Sequence, residues 1–131
     1  MKNARVITQL VCAMPTKVGL LADIAEALAA ADVNVTAMCA YESDDRGEFM
    51  LVTSDNAKAT QALEAMGGEV TTQSAVAVDM PDRPGALAEV ARAIGDAGIN
   101  IQYTYGSTTQ QESATIIFST ADDEYAVSKI G

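Results

Sequence analysis

An internal repeat constrains the fold of this chain more than any other feature of its sequence. When the sequence is shifted by 66 residues, Met14–Asn34 aligns with Met80–Asn100, and nine of the 21 positions are identical. The same offset aligns Phe49–Val52 with Thr115–Phe118. A repeat of this length corresponds to one supersecondary unit, so the architecture must contain that unit twice.

Each copy has the same order of predicted elements. A strand of alternating apolar residues, Val6–Met14 or Val76–Met80, leads into a loop with proline and glycine and then into an amphipathic helix. The apolar positions that recur at helical spacing, and so predict the core face, are Leu20, Leu21, Ile24, Leu28 and Ala31 in the first copy and Leu87, Val90, Ala91, Ile94 and Ala97 in the second. Two strands follow as a hairpin, and the first copy continues with a helix from about Asn56 to Met66 and an extended segment from Val70. This order is the split βαβ arrangement. The predicted fold class is α+β, with two ferredoxin-like βαββαβ units whose antiparallel sheets carry their helices on one face.

The second copy is shorter than the first. We assign residues 1–73 to the first domain and residues 74–131 to the second, whose last residue, Gly131, corresponds to Ala65 at the same offset. No counterpart of the strand near Glu69–Thr72 follows, so we expect the second sheet to lack this strand or to borrow one from a partner chain. Three apolar residues on the sheet face opposite the helices also need cover: Val11, Met50 and Val52. An open edge and an apolar face together predict a homodimer.

The charge and the missing residue types exclude several classes of function. Eighteen acidic and eight basic residues give a formal net charge of −10, which excludes nucleic acid and anionic membrane surfaces as expected partners. The absence of histidine removes the commonest metal ligand and the usual general base near neutral pH. We therefore predict no metal, no cofactor and no catalytic residue.

The two cysteines and the hydropathy pattern indicate the compartment. Cys12 and Cys39 lie far apart in apolar runs, which favours buried, reduced thiols and a cytoplasmic location. No stretch approaches the roughly 18 apolar residues of a membrane span, and residues 1–10 lack the apolar core of a signal peptide.

The segment Met80–Leu87 has the clearest chemical character in the chain. Pro84 suits a first helical turn, Gly85 allows a ligand to approach the backbone, and the first amides of the helix have no intrahelical partner. Such amides attract a carboxylate. Asn100 begins the next strand, and we expect it to lie near the loop and to supply one donor and one acceptor. These groups match an α-amino acid; alternatively, proline and glycine only build the turn and Asn100 bonds nearby backbone.

The second copy resembles a known family. Val76–Gly106, VAVDMPDRPGALAEVARAIGDAGINIQYTYG, is similar to the first strand, glycine loop, helix and second strand of the ACT domain, a regulatory module found on many enzymes of amino-acid metabolism. Leu10–Tyr41 repeats this pattern, so the two copies span nearly the whole chain. The layout also resembles stand-alone bacterial proteins built from two ACT domains. The resemblance implies a non-catalytic sensor that binds a free amino acid at the seam between ACT units and regulates amino-acid metabolism, with a metabolic enzyme as a further partner.

The resemblance also carries ligand contacts over to individual positions. In the second copy these are Asp82, Arg83, Pro84, Gly85, Ala86 and Leu87, together with Asn100. In the first copy they are Thr16, Lys17, Val18, Gly19 and Leu20, together with Asn34. The first loop departs from the motif, because threonine, lysine and valine replace its acid, arginine and proline. Two seams related by pseudo-twofold symmetry would each be lined by one loop and the neighbour's second strand.

Two other functions stay open at this point. A structural or interaction module, or a regulatory subunit that has lost ligand binding, is favoured by the altered first loop and the short second copy. An enzyme would have to use Asp44-Asp45 or Asp122-Asp123-Glu124. These acidic residues lie in polar turns, and we interpret them as solvating a loop or capping a helix.

Overall fold

The computed structural model describes residues 3–108 and 110–131. Residues 1 and 2, in the segment predicted to lack a signal peptide, and residue 109, in the second predicted hairpin turn, lie outside the described residues. Within the described chain the elements follow in this order: β1 (Asn3–Pro15), α1 (Leu20–Ala30), β2 (Val35–Ser43), β3 (Arg46–Thr53), α2 (Asn56–Ala65), β4 (Glu69–Pro81), α3 (Ala86–Asp96), β5 (Ile101–Thr108), β6 (Ser113–Thr120) and α4 (Asp123–Ile130). None of these helices is long and apolar enough to cross a membrane.

The chain forms two compact units that share two strands. The first unit is residues 8–73, and the second unit is residues 74–131 together with residues 3–7. Both β1 and β4 are 13 residues long, and each contributes its N-terminal part to one unit and its C-terminal part to the other. The strand missing from the second copy is therefore supplied by the N-terminal segment of the same chain. This corrects the expectation that the second sheet lacks a strand or borrows one from a partner.

The first unit is a four-stranded sheet with two helices on one face. Its strand order is β2-β3-β1-β4, and β3 pairs antiparallel with both β2 and β1. Alternate residues of β1 and β3 pack against α1 and α2 in one core: Leu10, Cys12, Met14, Leu20, Ile24, Leu28, Val33, Phe49, Leu51, Ala59 and Leu63. Three consecutive residues of β3 are buried, as the apolar composition of this central strand predicts: Phe49, Met50 and Leu51.

The second unit repeats this arrangement with the strand order β1-β4-β6-β5. Strand β6 pairs antiparallel with β4 and β5. Its core is built from β4, β6 and the faces of α3 and α4: Val76, Val78, Met80, Ala86, Val90, Ile94, Phe118, Ala126 and Ile130. Ala4 packs against this second core, just as Val70 packs against the first. Residues 3–7 therefore occupy in the second unit the place that residues 69–73 occupy in the first.

The N-terminal strand segment is also held by polar contacts. The Arg5 guanidinium pairs with the Asp79 carboxylate at 2.9 Å, and the Thr115 hydroxyl donates to the same carboxylate at 2.7 Å. These contacts, the Thr115 hydrogen bond above all, lower the pKa of Asp79. They connect β1, β4 and β6 within the second unit.

The registers reveal an insertion that the sequence alignment missed. Leu10 faces Leu51 in the first unit, whereas Val76 faces Phe118 in the second. The first partners differ by 66 residues and the second partners by 67, so the second hairpin carries one extra residue. Phe49 therefore corresponds to Ile116, which corrects the ungapped alignment of Phe49–Val52 with Thr115–Phe118.

The acidic turn residues have structural roles. Asp44 and Asp45 both have positive φ, 51° and 62°, and form the two-residue turn between β2 and β3. The Asp122 side chain caps α4 by accepting from the Tyr125 amide at 3.1 Å. The neighbouring Asp123 carboxylate is 9% exposed and accepts from the Thr120 amide and hydroxyl. The interpretation as turn and helix-cap residues is thus confirmed for Asp44, Asp45 and Asp122, whereas Asp123 is buried and bonded to Thr120.

Candidate ligand-binding site

The loop between β4 and α3 presents a backbone cradle at the start of a helix. Gly85 is the N-cap residue with φ 92°, in the left-handed region that favours glycine, and no side chain caps the helix. The Ala86 amide donates to the Arg83 carbonyl at 3.2 Å. The amides of Leu87 and Ala88 donate to no backbone carbonyl in the part of the chain that the structure describes. These two N–H donors at the N-terminal end of the helix, where its dipole is positive, are therefore free of backbone hydrogen bonds, as the sequence predicts.

The first loop has the same backbone despite its different sequence. Gly19 has φ 85° at the N-cap of α1, and the Leu20 amide donates to the Lys17 carbonyl at 3.3 Å. An ion pair also recurs, since Lys17 meets Asp23 at 2.7 Å and Arg83 meets Glu89 at 3.2 Å. Both pairs are largely exposed, so each contributes little to stability.

Asp82 distinguishes the second loop chemically. Its carboxylate accepts a hydrogen bond from the Thr108 hydroxyl at 2.7 Å, and its amide donates to the Glu112 carbonyl at 3.1 Å. These two bonds fix the residue against the β5–β6 hairpin. A carboxylate can accept up to about four hydrogen bonds, so the fixed Asp82 retains capacity for a cationic group. Thr16, at the same place in the first unit, has no charge.

A cavity of about 190 Å³ opens beside the second loop. Its lining residues come from the end of β4, the loop, the start of α3 and the β5–β6 hairpin: Met80, Pro81, Asp82, Arg83, Ala86, Leu87, Ser107, Thr108, Ala114 and Ile116. Met80 and Ala86 are buried, whereas Asp82 and Arg83 are exposed. The cavity therefore has an apolar floor and a charged rim.

Larger side chains occupy the corresponding place in the first unit. Leu20 stands where the second unit has Ala86, and Phe49 stands where it has Ile116. Gly47, the counterpart of Ala114, lies against both, because a Cβ atom added there would be 2.9 Å from Phe49 Cε1 and 3.0 Å from Leu20 Cδ2. The two units thus share the glycine loop and differ in the space beside it.

The asparagines lie far from the loops of their own units. The Asn100 carbonyl accepts from the Ala121 amide beyond the C-terminal end of β6, whereas the glycine loop bonds Glu112 before its N-terminal end. Eight residues of β6 separate the two ends, about 25 Å at strand spacing. In the first unit Asn34 likewise bonds Ser54, beyond the end of β3. The expectation that Asn100 lies near the loop edge is therefore wrong within one unit.

The remaining predicted site residues differ in exposure. Val18 and Pro84 lie on the exposed tips of their loops, and Leu20 and Ala86 are buried under them. Leu87 is 52% exposed and lines the cavity, although helical spacing predicted it in the core. Leu21, its counterpart, is also half exposed.

The sequence predictions missed the cavity wall that does not belong to the loop. Thr108, Ala114 and Ile116 lie more than twenty residues along the chain from the glycine motif. The exchange of Leu20 for Ala86 was visible in the repeat and indicated space in the second unit. The matching exchange of Phe49 for Ile116 was hidden by the inserted hairpin residue.

Potential metal ligands and cysteine thiols are located among the described residues. No group of three or more potential metal-ligating side chains occurs among residues 3–108 and 110–131. Burial raises the pKa of the Cys12 thiol to about 11, so this cysteine is an unreactive core residue. Cys39 is half-buried, and both thiols are free.

Comparison with known proteins identifies the repeat. A model of the ACT domain matches residues 8–68 and again residues 74–127. A comparison with curated protein sequences finds no significant match.

Solved structures with this fold include regulatory domains. A protein from Bacteroides thetaiotaomicron is 29% identical, with a TM-score of 0.88 over 98% of this chain and 88% of that one. The regulatory subunit of aspartate kinase from Thermus thermophilus is 18% identical, with a TM-score of 0.69 over 97% of this chain and 93% of that one. Aspartate kinase from Clostridium acetobutylicum is 17% identical, with a TM-score of 0.64 over 98% of this chain and 33% of that one. The fold, the paired glycine loops and the two family matches together make this chain a member of the ACT domain family, with two ACT domains in tandem.

Proposed function

We propose that this protein is a non-catalytic sensor that binds a free amino acid at the Gly85 loop and regulates an enzyme of amino-acid metabolism. The observation that carries the proposal is that free backbone N–H donors and a carboxylate lie beside the same cavity. The unpaired amides of Leu87 and Ala88 suit the ligand's carboxylate, and the fixed carboxylate of Asp82 suits its ammonium group. ACT domains are regulatory modules, and the similar aspartate kinase chain from Thermus thermophilus is a regulatory subunit.

We further propose that the ligand lies at a seam between two ACT units. Because each loop lies about 25 Å from the asparagine of its own unit, an asparagine contact must come from another unit. That unit belongs either to the same chain or to a second molecule. By the same logic the first loop, Thr16–Leu20, is a second candidate site that has the backbone cradle and lacks the acid.

In this proposal regulation arises because the ligand binds one relative orientation of two ACT units more tightly than others. A ligand that touches two units stabilises the relative orientation in which both contacts are made and disfavours other orientations. A homodimer belongs to this proposal, because β2 and β5 end the strand order of their units and each leaves an edge for pairing. A cytoplasmic location belongs to it as well, since free amino acids and the enzymes that make them meet there.

Isothermal titration of the full chain with each of the twenty amino acids tests the proposal. We expect saturable binding of at least one amino acid, and a rise in thermal stability worth about 2.7 kcal/mol at a hundredfold excess over Kd. Absence of heat and of thermal shift across the panel at millimolar concentration would refute it.

A pair of glycine variants locates the site. Gly85→Val and Gly19→Val impose similar backbone strain, because both glycines have φ near 90°. A Cβ atom added at Gly19 meets nothing within 4 Å, and one added at Gly85 is in ordinary contact with the Arg83 guanidinium at 3.8 Å. Loss of the ligand-induced thermal shift in Gly85→Val alone supports the second loop. Equal retention in both variants contradicts the assignment. Far-ultraviolet circular dichroism checks that each variant remains folded.

The asparagines test the seam separately. We expect either Asn34→Ala or Asn100→Ala, but not both, to weaken binding by roughly tenfold, the effect of about one lost hydrogen bond. The sensitive variant identifies the unit that completes the site. If neither changes the affinity, the seam is wrong and the loop proposal is unaffected.

A structural or interaction module without a ligand is the second candidate. The filled space at Leu20 and Phe49 favours it for the first unit. Such a module would show no ligand-induced shift even in the unmutated protein, which separates it from the sensor.

A further inference from the structure

The cavity beside the second loop determines which amino acids it can hold. Its rim carries the groups that match the charged ends common to all amino acids, so the floor must receive the part that differs between them. Four residues form this floor: Met80, Ala86, Ala114 and Ile116. We propose that the ligand's side chain enters this floor and that the ligand is therefore an uncharged aliphatic amino acid of about the size of valine. The inference rests on the proposed function.

Charge excludes the acidic and basic amino acids. The floor offers methyl, methylene and thioether groups, so a charged side chain placed there would lose its hydration without gaining a partner. In the proposed complex Asp82 binds the ligand's ammonium group, and Arg83 is paired with Glu89 at 3.2 Å, so the rim has no further charged group to offer a side chain. An acidic side chain would also be repelled by Asp82.

Volume disfavours the large aromatic amino acids. An apolar cavity of about 150 Å³ holds benzene, so the cavity here, at about 190 Å³, has room for roughly eight non-hydrogen atoms. The rim groups also line the cavity, so the charged ends of the ligand and its side chain share this space. Valine matches the volume, leucine and isoleucine slightly exceed it, and phenylalanine, with twelve non-hydrogen atoms, exceeds it by about half.

Among the small uncharged amino acids, the polarity of the side chain has a weaker effect on affinity. Threonine has the shape of valine with one hydroxyl group, and an apolar pocket rejects such an isostere by no more than about a hundredfold. Alanine leaves part of the floor empty and loses the contacts of two methyl groups. The expected order of affinity is valine first, then threonine and alanine, then lysine, glutamate and phenylalanine.

The first unit supplies the design of a decisive variant. Ala86→Leu combined with Ile116→Phe gives the second unit the residues that fill the same space in the first. We expect this double variant to lose at least tenfold in affinity for valine. Its affinity for glycine, which has no side chain to place in the floor, should change by less than about threefold. Ala86→Val is the smaller substitution to use if the double variant does not fold.

Isothermal titration of the full chain with valine, threonine, alanine, glycine, lysine, glutamate and phenylalanine provides the test. Valine as the tightest ligand, with glycine binding retained in the double variant, supports the inference. A charged or aromatic amino acid as the tightest ligand overturns it and leaves the proposed function intact. Unchanged valine affinity in the double variant also overturns it, because the side chain must then lie elsewhere. If no amino acid binds, the proposed function fails and takes this inference with it.

Discussion

In the first unit the space beside the glycine loop is filled by Leu20 and Phe49, and in the second unit Ala86 and Ile116 leave it open as a cavity of about 190 Å³. The backbone of the two loops is otherwise alike, with a left-handed glycine at each N-cap and the same ion pair across the first helical turn. A glycine motif therefore specifies a loop shape. The space beside that loop is set by one side chain at the start of the helix, Leu20 or Ala86, and one on a strand further along the chain, Phe49 or Ile116.

The largest expected difference concerns the strands that complete each unit. Val6→Pro removes a backbone donor from the segment that closes the second unit, and Thr72→Pro does the same for the first. We expect each to destabilise its own unit by about 3 kcal/mol or more, with the other unit retaining most of its protection. Hydrogen exchange followed by mass spectrometry reports the two units separately. Equal loss of protection in both units would contradict the division of the strands.

The next prediction concerns the stability contributed by Leu20, which fills the space beside the first loop. Leu20→Ala removes a buried side chain that Ala86 shows to be dispensable for this fold. We expect a loss of about 2 to 3 kcal/mol in the free energy of unfolding, because a cavity replaces the packed leucine. Urea denaturation measures it, and Leu21→Ala, at a half-exposed neighbour, is the control with a much smaller effect.

The two N-cap glycines should respond equally in stability. Gly19→Ala and Gly85→Ala each force an alanine into a positive φ, 85° and 92°, at a cost of roughly 1 to 2 kcal/mol. Thermal unfolding without ligand measures both. A difference between the two well above the experimental error would show that the loops are not equivalent in backbone strain.

A smaller effect on stability is expected at the residue that follows α1 in the first unit and α3 in the second, because its identity differs. Asp32 has φ 59° where the second unit has Gly98 with φ 76°. Asp32→Gly should stabilise the first unit by up to about 1 kcal/mol by relieving this strain, and Gly98→Asp should destabilise the second by a similar amount. Chemical denaturation checks both signs, and a loss of stability in Asp32→Gly would contradict the argument.

The smallest effect is the dependence on pH that Asp79 gives to the second unit. The pKa of Asp79 is lowered from its ordinary value of 3.8, so its contribution is present above that value and is lost as the pH falls through the lowered pKa. Asp79→Asn should cost less than about 1 kcal/mol at neutral pH, because the ion pair with Arg5 is partly exposed. The difference should vanish in acid. The first unit has Ala13 at this position, and its stability should not change with the substitution.

Local sequence patterns predicted the helices and strands that recur in both copies. Features that depend on pairing between distant segments could not be predicted in this way. The helices, the central strands and the left-handed glycines follow from periodicity and from turn chemistry that act within a few residues. The strand supplied by residues 3–7 could not be derived in this way, because its partner β4 lies more than sixty residues away. The inserted hairpin residue also escaped notice, since an ungapped alignment still matched apolar residues with apolar residues.

The candidate site was predicted in part for the same reason. The glycine, the free helix amides and Asp82 belong to one contiguous segment, and the sequence places them together. The position of Asn100 depends on strand direction, because a strand that runs parallel to β4 begins at the end of the sheet opposite the loop. Leu87 was assigned to the core by helical spacing, yet it lies at the edge of the apolar face and is half exposed.

The sharing of β1 and β4 has an evolutionary consequence. One repeat taken alone, such as residues 3–68, contains a strand whose first five residues complete a different unit and has no fourth strand of its own. Two separate copies of such a repeat could complete both sheets only by exchanging those N-terminal segments. In the present chain both N-terminal segments belong to one polypeptide, so the exchange is permanent, and the two halves can diverge in sequence without losing the strands that complete them.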